Sequence, residues 1–360
     1  MGLTGPLAAG DKTKGAGLNV LFLGGTGFIG PHMVQQCLDA GHKVTLFNRG
    51  KRNSELFADL ETIIGNRDPN IDDGLKGLEG REWDVVIDTS GYIPRHVDAS
   101  AKLLANAASH YLFISTVAVY EDFSIANMDE TAPLIELDDP SVEQVTGETY
   151  GGLKVLCEQA VSKHFKENST ILRPTYIVGP GDHTDRFIHY INRPMEGGRM
   201  AMPGRPSNPV DYVDVRDLAA FVEHMASTMM PGVYNTVNVP KSVNFGQLMD
   251  LSVELSSSEV DITWLSSEFL NAQKELMGDQ YRGFPMWHDQ DGEAGSGSMS
   301  QARAVAAGFS NRPFKETVEA THKWWIEQPQ ERRDNRRKHI SAEFEQALLA
   351  AWDARSQDET

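Results

Sequence analysis

Cysteine is scarce in this chain of 360 residues, which contains only Cys37 and Cys157. Both lie on predicted amphipathic helices, so we expect buried free thiols instead of a disulfide, and we find no metal-ligand spacing. No apolar run approaches the roughly 20 residues of a membrane span, and residues 1–17 lack the apolar core of a signal peptide. These absences predict a cytoplasmic protein that does not contact a membrane, with residues 1–18 as a flexible leader.

Basic residues are also in the minority. The chain has 33 Lys and Arg against 51 Asp and Glu, which gives a formal net charge of −18. Because this charge repels polyanions, we expect no nucleic-acid partner. A hydrophobic content of 40% and a charged content of 23% are typical of a globular protein.

Glycine, in contrast, is placed with a regular spacing near the N-terminus. The apolar run Val20–Leu23 leads into Gly24, Gly27 and Gly30, spaced G-x-x-G-x-x-G, and Pro31–Ala40 then has the pattern of a helix. A strand, a glycine turn and a helix in this order bring backbone N–H groups and a helix N-terminus to a pyrophosphate. The pattern favours a dinucleotide site over an ordinary tight turn.

The first third of the chain alternates apolar β-branched runs with helical stretches. Because the runs are continuously apolar, both faces of the sheet should be covered, which predicts an α/β fold with a Rossmann-type doubly wound parallel sheet. The predicted strands are Val20–Leu23, Val44–Phe47, Thr62–Ile64, Asp84–Ile87 and Tyr111–Ser115, and the predicted helices are Pro31–Ala40, Ser54–Leu60, Asp73–Leu78 and Arg95–Ala108.

The residues at the end of the second strand bear on the choice of cofactor. NAD sites commonly have a carboxylate there, whereas this chain has Asn48 and Arg49, followed by Lys51 and Arg52. An amide beside guanidinium groups favours a 2′-phosphate, so we prefer NADP, with NAD as the alternative. A solvated basic loop is the competing interpretation.

Three residues form a candidate catalytic set. Thr116 follows the fifth strand, and Tyr150 and Lys154 share a helix face at positions i and i+4. A neighbouring ammonium group would lower the pKa of the Tyr150 phenol. Thr116 would hydrogen-bond the substrate oxygen that Tyr150 protonates or deprotonates. The set predicts acid/base chemistry at a carbinol or carbonyl carbon.

From about Asn19 to Trp325 the chain resembles the extended branch of the short-chain dehydrogenase/reductase superfamily, the NAD-dependent epimerase/dehydratase-like proteins. The motifs that carry the resemblance are GGTGFIG at 24–30, STVAVY at 115–120, YGGLK at 150–154, LRPTYIVGP at 172–180 and VDYVDVRDLA at 210–219. The resemblance implies that Thr116, Tyr150 and Lys154 are catalytic, with Lys154 holding the nicotinamide ribose. The cofactor contacts that we expect are Gly24, Thr26, Gly27, Phe28, Ile29, Gly30, Asn48, Arg49, Asn66, Arg67, Thr89, Ser90, Gly91, Tyr150, Lys154 and Pro174.

The sequence departs from this family pattern at several positions. Asn66 stands where the family usually has an Asp that contacts adenine. The two residues after the catalytic Thr are acidic in the sugar-nucleotide dehydratases, whereas here they are Val117 and Ala118, which disfavours dehydration. Val210 replaces an Arg that binds the substrate pyrophosphate in nucleotide-sugar enzymes, although Arg205 is nearby. A free sugar, a sugar acid or another small carbonyl compound therefore fits better.

The C-terminal half is expected to provide the smaller α/β substrate-binding region. We expect a dinucleotide-binding domain over residues 19–180, joined by parts of 210–240, then a substrate-binding lobe over 181–330 that includes a helix at Phe314–Trp325. Arg186 is a candidate clamp for a carboxylate or phosphate, with a surface ion pair as the equal alternative. Tyr92, Val117 and Tyr176 are the other expected substrate contacts. Residues 331–360 read first as a solvated, charged helical tail and second as a homodimer contact.

The leading hypothesis is an NADP-dependent enzyme that transfers a hydride between the nicotinamide and a small sugar-like or other carbonyl substrate. An epimerase that retains its cofactor is one alternative. A non-catalytic relative that binds a dinucleotide or RNA is the other, since some relatives of this subgroup resemble dehydrogenases yet bind RNA.

Overall fold

The structure is a computed structural model, and it describes residues 17–278, 281, 283–288 and 297–358. The predicted leader therefore lies outside the described residues up to position 16. Leu18 is in place, because its N–H donates to His42 Nδ1 at 3.1 Å. Among the described residues, no helix has the length and apolar character to cross a bilayer.

A sheet of seven parallel strands forms the centre of the molecule. Its strand order is β3-β2-β1-β4-β5-β6-β10. The order along the sheet switches between β1 and β4, because β2 and β3 lie on one side of this pair and β5, β6 and β10 on the other. Two short parallel pairs, β7 with β9 and β8 with β11, lie outside it. The strands are β1 (Asn19–Leu23), β2 (Lys43–Asn48), β3 (Glu61–Ile64), β4 (Trp83–Asp88), β5 (Ala108–Ile114), β6 (Ser169–Pro174), β7 (Ile177–Val178), β8 (Gly198–Pro203), β9 (Val213–Asp214), β10 (Gly232–Thr236) and β11 (Val260–Leu265).

Helices cover both faces of this sheet. Val20 and Phe22 of β1 pack into one apolar cluster and Leu21 and Leu23 into another, as expected for a strand buried on both sides. The doubly wound fold predicted from the apolar runs is thus confirmed. The helices are α1 (Gly30–Asp39), α2 (Pro94–Leu104), α3 (Tyr150–Phe165), α4 (Arg186–Asn192), α5 (Val215–Thr228), α6 (Phe245–Leu255), α7 (Ser267–Met277), α8 (Ala302–Ala306), α9 (Phe314–Ile326), α10 (Gln330–Asp334) and α11 (Ala342–Asp358).

Two of the predicted helices are wrong. Residues 54–60 form turns, because Asn53 and Phe57 adopt positive φ angles of 46° and 61° that an α-helix does not accommodate. Residues 73–78 form a 3-10 turn only at Lys76–Leu78, after Gly74 with φ of 53°. The helix predicted to end at residue 108 ends at Leu104, since β5 begins at Ala108.

The part of the chain after β6 contributes to both the sheet and a third apolar cluster. β10 adds the last strand beside β6, and α5 packs against α1. The third cluster is built from α4, α6, α9 and β8, among others, and includes the predicted helix near residues 314–325. The division into domains at residues 180 and 330 stays a prediction.

The C-terminal tail packs on the chain and is not a solvated helix. Leu348 and Leu349 of α11 are buried against Leu265, Phe269 and neighbouring apolar residues. A helix that presents leucines on one face gains more from covering apolar surface than from exposing it to water. The apolar face that suggested a homodimer contact is therefore covered by the chain itself.

Candidate active site

A cavity of about 1190 Å³ runs along the carboxyl ends of the parallel strands. Every predicted site residue lines it except Gly91, which is buried beneath its floor. The space exceeds the ~300–1,000 Å³ of ordinary small-ligand pockets. The fold thus brings the glycine turn, the Thr116 turn and the start of α3 to one cleft, and the roles of the individual residues stay predictions.

The glycine turn has the geometry of a phosphate cradle. A Cβ atom at Gly27 would meet nothing within 4 Å, so the backbone there is open to the cavity. At Gly30 a Cβ would stand 2.5 Å from the carbonyl carbon of Gly25, so only glycine lets α1 approach the turn. The N-cap residue of α1, Ile29, forms no side-chain capping bond, which leaves the helix N-terminus available to an anion.

The loop after β2 places cations at the rim of this cleft. Asn48 Oδ1 accepts from Gly50 N at 2.8 Å and so shapes the turn. Arg49, Lys51 and Arg52 are exposed and line the cavity. None of the three forms an ion pair with any residue in the described ranges. The loop is therefore a concentrated positive surface at the end of β2.

The loops after β3 and β4 are tied together below the cavity. Arg67 donates to Asp88 Oδ1 at 2.5 Å and to Ser100 Oγ at 2.8 Å. The Asp88 carboxylate holds the pKa of the Arg67 guanidinium above its usual range. The Arg67 cation is thus paired with Asp88, and its predicted contact with the cofactor stays a prediction. Asn66 lines the cavity and closes its own turn by accepting from Asp68 N.

The residues that follow β4 brace the glycine turn. Thr89 Oγ1 and Ser90 Oγ both donate to Leu23 O, at 3.2 and 3.0 Å. Gly91 does not face the cavity, because a Cβ there would meet the Phe113 ring at 2.5 Å. Its carbonyl accepts from Lys154 Nζ at 2.8 Å, which supports the lysine, and the predicted cofactor contact of Gly91 stays a prediction.

The Thr116, Tyr150 and Lys154 side chains stand together at the middle of the cleft. Thr116 precedes a short 3-10 turn, and its Oγ1 accepts from Ala118 N at 3.1 Å. Tyr150 is the first residue of α3, so Lys154 lies one helical turn further on. The Lys154 ammonium donates to Gly91 O at 2.8 Å and to Ile114 O at 2.7 Å, and it lies 4.2 Å from the Phe113 ring centroid.

The charge states of this set differ from the prediction. Burial raises the pKa of the Tyr150 phenol to about 12, and Tyr92 adds to the rise, whereas the Thr116 hydroxyl and the Arg186 guanidinium act in the opposite direction. Burial lowers the pKa of Lys154 itself to about 8. The pKa of Tyr150 is thus raised by burial, whereas a lowered pKa was expected.

A buried polar network supports the strand end that carries Thr116, and the sequence analysis missed it. Glu158 accepts from Ser115 Oγ and, through both carboxylate oxygens, from Arg173. Arg173 also donates to Tyr120 OH at 3.0 Å. An arginine within the apolar run that forms β6 needs a buried acid, and that signal could have indicated a partner on α3.

The other end of the cleft has aromatic and cationic walls. The Tyr92 ring centroid lies 6.3 Å from that of Tyr150, and Val117 lines the cavity beside it. Tyr176 OH lies 2.9 Å from His288 Nε2. The Arg186 guanidinium covers the Tyr176 ring at 4.9 Å. His288 contributes to this end although the sequence analysis gave it no specific role.

The sequence matches the model of the NAD dependent epimerase/dehydratase family over residues 20–239. The chain belongs to this family. The resemblance predicted from the glycine turn and the Tyr150–Lys154 motif is confirmed.

One curated relative of this family member is the chloroplast stem-loop binding protein of 41 kDa b from Arabidopsis thaliana. The two are 26% identical over 244 residues, which is 64% of this chain and 61% of the relative. The chain thus spans less than two thirds of the relative's length.

Solved structures share the fold at low sequence identity. MoeE5 in complex with UDP-glucuronic acid and NAD has a TM-score of 0.61 and 19% identity, over 85% of this chain and 98% of MoeE5. The UDP-glucuronic acid 4-epimerase from Bacillus cereus in complex with NAD has a TM-score of 0.60 and 16% identity, with the same coverage of 85% and 98%. The likeness at these identities concerns the fold.

The family match ends at residue 239, and the tail beyond it reaches back to the cleft. Arg332 donates to both carboxylate oxygens of Asp185, and Arg337 N donates to the same carboxylate at 2.8 Å. His339 Nε2 lies 2.9 Å from Thr184 O. The tail therefore holds the loop that immediately precedes Arg186.

Proposed function

We propose that the protein is an NADP-dependent enzyme that transfers a hydride between the nicotinamide and the carbinol or carbonyl carbon of a small sugar-like or other carbonyl substrate. The observation that carries the proposal is the single cavity that joins the open backbone at Gly27 to the hydroxyl groups of Thr116 and Tyr150. The open cradle and the uncapped start of α1 fit a pyrophosphate. When bound, the nicotinamide supplies or accepts the hydride.

The protein's own residues would manage the proton. Because the pKa of Tyr150 is raised to about 12, the phenol is protonated at neutral pH and suited to donate to a carbonyl oxygen. Thr116 would hydrogen-bond the same oxygen. Lys154 would hold the strand ends after β4 and β5 in place and present its remaining N–H to the cofactor ribose.

The choice of NADP rests on the rim of the cleft. Asn48 and the exposed Arg49, Lys51 and Arg52 put positive charge, and no carboxylate, at the end of β2. Titration of the protein with NADPH and NADH should show tighter binding of NADPH. Equal binding, or tighter binding of NADH, would contradict the preference.

The first experiment is a screen of sugars, lactones and small ketones for NADPH or NADH oxidation and for NADP reduction. Tyr150→Phe should lower kcat by about 10²–10⁴-fold while dinucleotide binding is kept. Tyr234→Phe is the matched control, because that phenol donates to Pro231 O away from the cavity. Unchanged turnover in Tyr150→Phe would remove Tyr150 from its proposed role.

Epimerisation is the second candidate, and the family match favours it. An epimerase oxidises and then reduces the same substrate, so it keeps its cofactor through the cycle. Dinucleotide that stays with the protein through gel filtration, together with inversion of a carbinol centre and no net NADPH consumption, would support this candidate over a dehydrogenase.

RNA binding is the third candidate, because a curated relative is named for binding a stem-loop. The net charge of −18 weighs against it. A gel-shift titration with a stem-loop RNA at about 50 and 200 mM salt would decide, since binding through phosphates weakens steeply over that range.

A further inference from the structure

The charge inside the cleft is opposite to that of the protein as a whole. Across the described part of the chain, the cavity walls carry six Lys or Arg side chains and one acidic side chain, Asp211. The net charge of the sequence is −18. A cleft that concentrates positive charge in an acidic protein draws anions inward.

Five of these six cations already have a use. Arg67 is paired with Asp88, and Lys154 is bound to two carbonyls. Arg49, Lys51 and Arg52 lie at the end of β2, where a cofactor phosphate is proposed to bind. Arg186, at the other end of the cleft, is the remaining cation.

Arg186 is held by a chain of hydrogen bonds. Its Nε donates to Thr184 Oγ1 at 3.1 Å, and Thr184 Oγ1 donates to Asp182 Oδ2 at 3.0 Å. Thr184 N also donates to Asp182 Oδ1 at 2.8 Å. The Tyr176 ring covers one face of the guanidinium at 4.9 Å. These contacts fix the plane of the group before any ligand arrives.

The outer edge of the Arg186 guanidinium is unused by the protein. Arg186 forms no ion pair with the residues that the structure describes, and its two Nη atoms have no hydrogen-bond acceptor among them. The cation nevertheless acts on Tyr150, whose pKa it lowers. An oriented fork with free N–H groups near the reacting phenol matches the two oxygens of a planar anion.

We infer that the substrate carries a carboxylate that pairs with Arg186 while its carbinol or carbonyl carbon faces Thr116 and Tyr150. A carboxylate fits better than a phosphate dianion, because the single guanidinium at this end of the cleft balances one negative charge and its fork matches two planar oxygens. The substrate class is therefore a hydroxy or oxo acid such as a sugar acid. Only the placement of the reacting carbon at Thr116 and Tyr150 rests on the proposed function.

The test uses ligands that differ at one group. D-glucuronate, D-glucose and D-glucose 6-phosphate, and the matching galactose series, are titrated by calorimetry into the NADP-saturated full chain, and hydride transfer is followed by nicotinamide absorbance. The uronates should bind more tightly than either comparison compound. Arg186→Gln should weaken uronate binding about tenfold to a hundredfold and leave the neutral sugars unchanged.

Two further variants keep the result interpretable. Arg186→Lys should restore only part of the affinity, since an ammonium group lacks the bidentate fork. Arg81→Gln makes the same chemical change at an exposed Arg outside the cavity and should have no effect. Equal loss of all ligands in Arg186→Gln, preference for the phosphates, or no binding of either uronate would overturn the inference.

The outcomes also separate this inference from the proposed function. Arg186-dependent uronate binding without hydride transfer or epimerisation would leave the inference standing and refute the proposed function. Turnover of neutral sugars that is independent of Arg186 would support the proposed function and overturn the inference.

Discussion

Lys154 is expected to cost the folded protein stability in return for its place in the site. Its side chain is 3% exposed, and burial lowers its pKa from 10.5 to about 8. The unfolded chain therefore binds the proton more tightly than the folded protein. Between pH 8 and 10.5 the unfolded state holds more protons, so the free energy of unfolding must rise with pH in this window.

The size of this rise follows from the two pKa values. Between about pH 7.5 and 9.5 the lysine alone should add about 2 kcal/mol to the free energy of unfolding. Lys154→Met removes the titrating group, so the variant should lack this gain. At neutral pH the variant gains from losing the buried charge but leaves the carbonyls of Gly91 and Ile114 unpaired, which offsets the gain.

Urea denaturation at the two pH values measures the effect directly. The quantity to compare is the pH-dependent change in stability of the wild type minus that of Lys154→Met. Lys102→Met, at an exposed position on α2, is the control and should follow the wild type. If the free energies of unfolding of the wild type and Lys154→Met changed equally with pH, the pKa of Lys154 would not be lowered in the folded protein. The described burial of its ammonium group would then be refuted.

Gly27→Val should fold normally, because a Cβ there meets nothing within 4 Å, but should weaken NADPH binding by more than about tenfold. Gly147→Val is the control, because that position is equally unhindered and lies outside the cavity. NADPH binding is measured by fluorescence titration, and an unchanged affinity in Gly27→Val would contradict the phosphate cradle. His189 is buried with a pKa lowered to about 3, and neither ring nitrogen has a partner among the described residues. As pH falls below 6.5 the unfolded chain takes up the proton first, so stability should fall by about 1.4 kcal/mol per pH unit from this group. His189→Leu should remove this part of the loss of stability between about pH 7 and 5, measured by urea denaturation. The same loss of stability in wild type and variant would refute the prediction.

The positions that sequence could predict are those dictated by local backbone demands. Gly30 must lack a side chain for α1 to approach the turn, and a Tyr and a Lys four residues apart must share a face once α3 forms. The continuous apolar character of β1 likewise required cover on both faces. Such requirements are visible without knowing the rest of the fold.

The failures came from contacts between distant parts of the chain. Residues 54–60 have helical composition, but Asn53 donates to the distant Thr26 O at 2.9 Å, and positive φ angles at Asn53 and Phe57 interrupt a helix. The direction of the Lys154 ammonium depends on where the carbonyls of Gly91 and Ile114 end up, which spacing along α3 cannot reveal. The apolar face of α11 was visible, but not that the chain's own β8 and α7 would cover it.

The C-terminal tail contacts Asp185, the residue directly before Arg186 in the cleft wall. Arg332 and Arg337 lie in a segment outside the family match, yet they govern the loop that orients Arg186. If Arg186 binds the substrate as inferred, changes in this peripheral extension would alter ligand preference without a substitution at the glycine turn. Engineering of the enzyme's scope can begin at the surface, around residue 332, without any substitution inside the cavity.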